Sequence, residues 1–223
     1  MESGIEAVRN KPQIEWTGSI TMNGNENWTF FQAFLKSPRV VASVIPSSSF
    51  LKRRVVTAAA PATASVVVEL GAGTGGTTRS LLKAMGPQTR LLAIERTADF
   101  IENLQRINDN RLDVVYGCAS SIGAELKRRG YPAADAVISG IPFSTLPKAL
   151  AAEIVTAVHE ALGPGGRFVA YQFSDRVADY AQPVMGMPQI EHELYNVPPL
   201  RVFTWRKEKR PRDSDHGNGA ADA

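Results

Sequence analysis

Apolar positions along this chain follow two alternating periods. Short unbroken runs, such as Val66-Val67-Val68 and Leu91-Leu92-Ala93-Ile94, alternate with stretches where apolar residues recur every three or four positions. The first kind suits buried strands, the second helices with one packed face. In order, the pattern predicts strand 65–70, helix 76–85, strand 90–95, helix 97–107, strand 112–116 and helix 119–129. Strand 135–139, helix 146–162 and strand 166–173 follow. Such alternation builds a mostly parallel sheet with helices on both faces, a doubly wound α/β fold. Gly163-Pro164-Gly165-Gly166 reads as a helix stop and tight turn before Arg167-Phe168-Val169-Ala170-Tyr171. Two last strand-like runs, Glu191–Val197 and Arg201–Trp205, flank Pro198-Pro199, and the short gap predicts an antiparallel pair. The pattern assigns no element to 174–190.

Upstream of the sheet, residues 1–27 are polar and read as flexible. From Trp28 to Ile45 the pattern is helical. At about 100° per residue, Trp28, Phe30, Phe31, Phe34, Leu35, Val41, Ala42 and Ile45 share one side. Thr29, Gln32, Lys36, Arg39 and Ser43 share the other, whose only charges are positive. Ser37-Pro38 is placed to cap a second helical piece. The segment fits a helix packed on the sheet and equally an interfacial helix lying among lipid headgroups. Pro46-Ser47-Ser48-Ser49 caps a further helix from Phe50 to about Ala60. The expected organisation is a flexible start (1–27), amphipathic and capping helices (28–60), one α/β domain (61–206) and a disordered tail, basic then polar (207–223).

Composition narrows the function classes. A chain of 223 residues with 43% apolar content suits one α/β domain with short extensions. A single Cys and three His exclude a Cys-based zinc site and a disulfide framework, and no metal is expected. No apolar run is long enough to span a bilayer, and Met1-Glu2-Ser3-Gly4-Ile5-Glu6 has no secretory character, so the expected location is the cytoplasm. Net charge is only +3, but its distribution is uneven. No acid lies between Asn27 and Val68, where five bases occur: Lys36, Arg39, Lys52, Arg53 and Arg54. Arg201–Arg212 carries six bases against Glu208. Basic ends suggest an anionic partner, either a membrane surface or nucleic acid, or simply a solvated surface.

The candidate chemistry sits at the strand ends. The run Val66-Val67-Val68-Glu69-Leu70-Gly71-Ala72-Gly73-Thr74-Gly75-Gly76 is a strand, an acid and a Gly-rich turn, and a helical pattern follows at once. This geometry lets backbone approach a nucleotide-like ligand. Leu91–Glu95 is a second strand ending in a carboxylate, near the ~20-residue offset at which an acid meets a ribose. The two oxygens of Glu95 suit a vicinal diol, although the same carboxylate could simply form a surface salt bridge with a neighbouring base. In open α/β sheets ligands bind beyond the carboxyl ends of the strands. Those ends supply Glu69 with its glycines, Glu95-Arg96, Gly117-Cys118-Ala119-Ser120, and Ser139-Gly140-Ile141-Pro142-Phe143, and the fold should bring all four together. Cys118 reads more as a small buried filler than as a nucleophile.

The acid just before the glycines, in Glu69-Leu70-Gly71-Ala72-Gly73-Thr74-Gly75, resembles the first motif of S-adenosyl-L-methionine (SAM) methyltransferases. Four motifs in order, Pro46-Ser47-Ser48-Ser49-Phe50-Leu51, this Gly loop, Ser139–Phe143 and Asn196-Val197-Pro198-Pro199-Leu200, make the resemblance narrower. Over about residues 28–206 the chain looks like bacterial phospholipid N-methyltransferases, the phosphatidylethanolamine N-methyltransferases. That resemblance implies a seven-stranded Rossmann-like sheet, SAM as cofactor, and methylation of a lipid amine in phospholipid biosynthesis. It also implies a protein peripheral to the inner face of the cell membrane, held by its amphipathic N-terminal helix. Ornithine-lipid N-methyltransferases form a related group whose headgroup the sequence does not separate. A lower-ranked resemblance runs to rRNA adenine dimethyltransferases. The missing Asn/Asp-Pro-Pro-aromatic run and the lack of an added RNA-binding domain count against it, and no stable nucleic-acid partner is expected. The intact loops count against a non-catalytic SAM-binding module.

The resemblance assigns roles. Glu69, Gly71, Ala72, Gly73, Thr74, Gly75, Glu95, Arg96, Cys118, Ala119, Ser120 and Ser139 are implied around SAM. The family's acid beside Cys118 is missing here, so Ser120 or a backbone N–H has to serve. Ser139, Gly140, Ile141, Pro142 and Phe143 are implied at the acceptor amine. Phe143 and Tyr171 could build an aromatic wall for methylated ammonium. Tyr171 and Tyr195 are candidate proton acceptors or plain core aromatics. Lys52, Arg53 and Arg54 could hold a lipid phosphate or form an exposed helix face. Trp28, Phe31, Phe34, Lys36 and Arg39 are implied at the membrane.

Overall fold

A computed structural model describes residues 48–196 and 199–208. The expected helix over Trp28–Ile45, with Trp28, Phe31, Phe34, Lys36 and Arg39, lies outside the described residues. So do Val197-Pro198 and most of the expected tail. The described elements begin with helix α1, Ser49–Ala59. Strand β1 (Val66–Leu70), helix α2 (Gly76–Ala84), strand β2 (Arg90–Glu95), helix α3 (Ala98–Gln105) and strand β3 (Leu112–Tyr116) follow. Next come helix α4 (Ile122–Arg128), strand β4 (Ala134–Ser139), helix α5 (Lys148–Ala161) and strand β5 (Leu162–Gln172). Helix α6 (Arg176–Met185) and strands β6 (Gln189–Glu193) and β7 (Leu200–Arg206) complete the order.

The seven strands form one sheet in the order β3-β2-β1-β4-β5-β7-β6. Strands β1 to β5 are mutually parallel, and β7 runs antiparallel to both β5 and β6. The chain therefore leaves β1 first toward β2 and β3, then returns to its other side at β4. That reversal makes the β1/β4 boundary the switch point where a crevice opens.

Period-two alternation decides which face each strand residue serves. Val66, Val68 and Leu70 turn to one face, where α4, α5 and α6 cover them with Ile122, Leu126, Ile154, Val158, Val177 and Ala181. Val67 turns to the other, where Leu51 and Val55 of α1 and Leu81 of α2 pack. Every residue of β1 is buried, as a central parallel strand covered on both faces requires. Ser48 caps α1: its Oγ accepts the Leu51 N–H at 3.1 Å.

Two features differ from the sequence reading. Helix α6 occupies residues left without an element. Its Pro183 reads as a breaker but sits in the last turn, and Val177 and Ala181 alone are fully buried. Helix α5 stops at Ala161, just before Gly163–Gly166, as expected, but that turn does not precede the next strand. It bulges within β5: Ala134 pairs with Leu162, and Ala136 already pairs with Arg167. A Cβ on Gly166 would lie 2.8 Å from the Gly163 carbonyl oxygen, so the bulge closes only around glycine.

Antiparallel β7 is fastened to β5 by a ladder of rings. Trp205 stacks on its register partner Phe168 with centroids 5.2 Å apart and on Phe203 at 5.9 Å. Its Nε1 donates to the Gly186 carbonyl at 3.0 Å. Trp205→Ala should lower unfolding stability by roughly 3–5 kcal/mol, read from the urea midpoint. A loss under about 1 kcal/mol would mean that the ring ladder does not fasten this edge.

Candidate functional site

The strand ends are held in step by backbone bonds that continue one residue past each strand. Gly71 N–H donates to Ile94 O at 2.9 Å, Gly140 N–H to Leu70 O at 3.0 Å, and Gly117 N–H to Glu95 O at 2.9 Å. The loops therefore leave the sheet side by side. They enclose a cleft of about 210 Å³ to which all four expected clusters contribute, through Gly71, Gly73, Glu95, Cys118, Gly140 and Pro142. Phe100, Leu146 and Ile154 add apolar surface. Thr97, Phe100, Thr145 and Leu146 were not singled out in the sequence, where they look like ordinary helix and loop positions.

Three glycines of this loop have positive φ, and two of them, Gly71 and Gly73, line the cleft. Gly71 has φ +73°, and a Cβ there would meet Ile141 Cγ1 at 3.0 Å. Gly73 has φ +55° and nothing within 4 Å of where its Cβ would be, so its backbone faces the open cleft.

Glu95 sits at the joint of the cleft. Its Oε2 accepts the Gly73 N–H at 2.9 Å. Its Oε1 accepts the N–H groups of Arg96 at 2.9 Å and Thr97 at 2.8 Å, at the start of α3. Glu69 lies beneath the Gly loop, fully buried. Its Oε2 accepts the Thr78 hydroxyl at 2.6 Å, and its Oε1 has no partner among the described residues. Burial pushes this carboxyl up to about 8, the Thr78 bond opposes the rise, and the charge of Glu95 adds to it.

Other expected site residues are placed differently. Arg96, Cys118 and Ala119 line the cleft, whereas the Ser120 hydroxyl turns to Cys118 Sγ at 3.4 Å. Ala72 packs with Ala93 and Leu104, and the Thr74 carbonyl accepts from Arg79 at 3.1 Å. Ser139 is buried, its Oγ accepting the Ile141 N–H at 3.3 Å. Phe143 builds no aromatic wall for the cleft, because its ring is 1% exposed and packs toward Tyr180 of α6 at 6.4 Å. Tyr171 lays its hydroxyl against Gly140 and 3.5 Å from Thr77 Oγ1. Burial and the nearby Glu69 raise its phenol, so Tyr171 keeps its proton and is not the base the sequence suggested. Tyr195 is exposed and sits tilted against Phe50, with ring centroids 5.2 Å apart. Arg54 is committed to Glu191 at 2.5 Å and Glu193 at 3.0 Å, which removes it from the expected phosphate site. Lys52 and Arg53 remain on the outer side of α1.

A family model described as a methyltransferase domain matches residues 68–168. Ornithine lipid N-methyltransferase of Singulisphaera acidiphila is 38% identical over 141 residues, which cover 62% of this chain and 73% of that protein. The chain belongs to the SAM-dependent methyltransferases. Ribosomal RNA small subunit methyltransferase A of Bradyrhizobium diazoefficiens is 36% identical over 97 residues, 42% of this chain but only 33% of that protein. Among solved structures, the N-methyltransferase NodS of Bradyrhizobium japonicum in complex with S-adenosyl-l-homocysteine (SAH) superposes with a TM-score of 0.59. It is 12% identical, with 81% of this chain and 97% of that one covered, a likeness of fold. The cleft of this methyltransferase fits SAM: Gly73 leaves open backbone, Glu95 presents two acceptor oxygens, and an unpartnered carboxyl oxygen of Glu69 lies below.

Two measurements check this site. Glu95→Ala should weaken SAH binding by roughly 1–3 kcal/mol in calorimetry, and unchanged affinity would remove Glu95 from the cofactor site. Glu69 titrates in the folded protein at about 8 against an ordinary 4.5, so the folded state holds the proton longer than the unfolded one. Stability should therefore fall as pH rises from about 4.5 to about 8, relative to Glu69→Gln. Urea unfolding across that window should show the two curves diverging; parallel curves would mean that Glu69 is ionised at neutral pH.

Proposed function

We propose that this SAM-dependent methyltransferase methylates the amine of a membrane-lipid headgroup. The reading is carried by the 38% identity to a protein named ornithine lipid N-methyltransferase, 73% of which this chain covers. When bound, SAM supplies a methyl group on a sulfonium, open to displacement by a nitrogen lone pair. Glu95 would hold the ribose hydroxyls, the Gly71–Gly75 backbone would border the cofactor, and Ile141 and Pro142 would border the acceptor. Among the described residues Glu95 is the single acid lining the cleft, and backbone N–H groups engage both its oxygens. With Tyr171 protonated as well, the amine enters neutral, its proton having gone to water.

Membrane contact belongs to the same reading. Phe50, Leu194 and Tyr195 are 50%, 70% and 74% exposed, beside Lys52 and Arg53. The β6–β7 turn that carries Leu194 and Tyr195 lies at the end of the sheet where β5 finishes, because Gln172 pairs with Arg201 and Glu193 with Leu200. An apolar, basic rim on the cleft's side of the sheet suits a lipid surface. The amphipathic pattern of Trp28–Ile45, with Lys36 and Arg39, would add to it. No helix among the described residues is long and apolar enough to cross a membrane. Between headgroups, the ornithine lipid is favoured over phosphatidylethanolamine by the 38% identity to a protein of that name.

The test is direct. The full chain is incubated with SAM and micelles of either ornithine lipid or phosphatidylethanolamine, and lipid products are read by mass spectrometry. Mono-, di- or trimethylated ornithine lipid is expected. Transfer to phosphatidylethanolamine alone would overturn the headgroup choice, and transfer to RNA with neither lipid modified would overturn the lipid reading.

A further inference from the structure

The acceptor loop is gripped by the end of the neighbouring strand. Gln172, the last residue of β5, is 4% exposed. Its Nε2 donates to the Ile141 carbonyl, and its Oε1 accepts the Phe143 N–H at 3.2 Å. The two partners flank Pro142, which lines the cleft and has no N–H of its own. As the chain leaves β4 it leaves the sheet ladder too, so these two backbone groups need partners from elsewhere. One side-chain amide supplies both. The partners also fix its orientation, because a carbonyl calls for the NH₂ and an N–H for the oxygen. The adjacent Tyr171 reaches the same loop from the opposite face of β5, its hydroxyl occupying the space a Cβ on Gly140 would need.

We propose that Gln172 is a positioning residue for methyl transfer: its amide brackets Pro142 and sets the acceptor wall of the cleft. The assignment rests on the reading of Gly140–Pro142 as the acceptor side. Gln172 itself does not line the cleft, so it acts through the loop and not on the substrate. None of its bonds goes to the Gly71–Gly75 loop or to Glu95, so cofactor affinity should be independent of it. Unlike an ionised carboxylate of the same length, the amide offers a donor and an acceptor at once at every pH. A carboxylate keeps the bond to Phe143 N–H but sets oxygen against the Ile141 carbonyl. A protonated carboxyl restores the donor, and burial beside a carbonyl raises the pH at which it is lost.

The experiment compares Gln172→Glu and Gln172→Leu with wild type in the full chain. Hydrogen exchange of residues 139–146, SAH calorimetry and methyl transfer to ornithine-lipid micelles are measured from about pH 5.5 to about pH 8. At the upper end, Gln172→Leu, which loses both bonds, should exchange the Phe143 amide faster than wild type, and Gln172→Glu, which loses the Ile141 bond, should lower kcat about 10- to 100-fold, with SAH affinity unchanged in both. Its activity relative to wild type at the same pH should climb as the pH falls, while that of Gln172→Leu stays low throughout. Wild-type exchange in both variants, a flat activity ratio for Gln172→Glu, or parallel loss of SAH binding and turnover would overturn the proposal. If Gln172→Leu does not fold, the pH series of Gln172→Glu alone decides. If wild type methylates no lipid, the function reading falls, and the exchange comparison still judges the clamp.

Discussion

Glu95 accepts three backbone N–H bonds, and the shape of the cleft depends on them. One comes from the Gly loop after β1, and two come from the start of α3. Charge-assisted bonds of this kind are about twice as strong as neutral ones. The carboxylate also sits where the first N–H groups of a helix and its dipole favour negative charge. Parallel register puts it there: Glu95 lies one residue past Ile94, which pairs with Leu70 at the end of β1. Without that anchor the turn at Gly73 has no fixed distance from β2. A ligand diol would therefore enter a carboxylate already oriented by the fold, and preorganisation of this sort lowers the cost of binding.

The second acid near the loop is in a different condition. Glu69 is sealed under the glycines, and burial keeps it protonated up to about pH 8. Tyr171, its neighbour, is held protonated by the same burial and by Glu69 itself. The layer behind the cleft floor is thus largely neutral, and among the described residues the charged groups lining the cleft are Glu95 and Arg96. A floor of this kind does not abstract protons. It suits an acceptor that is already a nucleophile, such as a neutral amine, better than a hydroxyl that needs a base. The geometry of the acceptor side then matters more than its acidity, which is why the end of β5 becomes important.

What the sequence disclosed was local. The run Val66–Leu70 reads as a buried strand because every one of its side chains is covered, and the Gly loop reads as a ligand turn because the φ values at Gly71 and Gly73 demand it. The four strand ends could be collected in advance because a doubly wound sheet puts them on one edge. What stayed hidden was non-local. Arg54 looked like one of three free cations, and its carboxylate partners lie 137 and 139 residues away. Gln172 grips backbone 29 and 31 residues away, and a lone amide near the end of an apolar strand was its one sign in the sequence. Phe143 follows the acceptor proline, yet the arrival of α6 turned its ring into the core. Helix α6 itself was masked by Pro183 and by a face with few apolar residues.

A crystal structure of the chain with SAH tests the central claim most directly. SAH should lie across the ends of β1, β2, β3 and β4, with Glu95 oxygens within about 2.5–3.0 Å of both ribose hydroxyls. Its homocysteine end should point toward Ile141 and Pro142. SAH bound elsewhere, or bound in the cleft with its ribose away from Glu95, would contradict the claim that this carboxylate joins the loop, the helix and the cofactor.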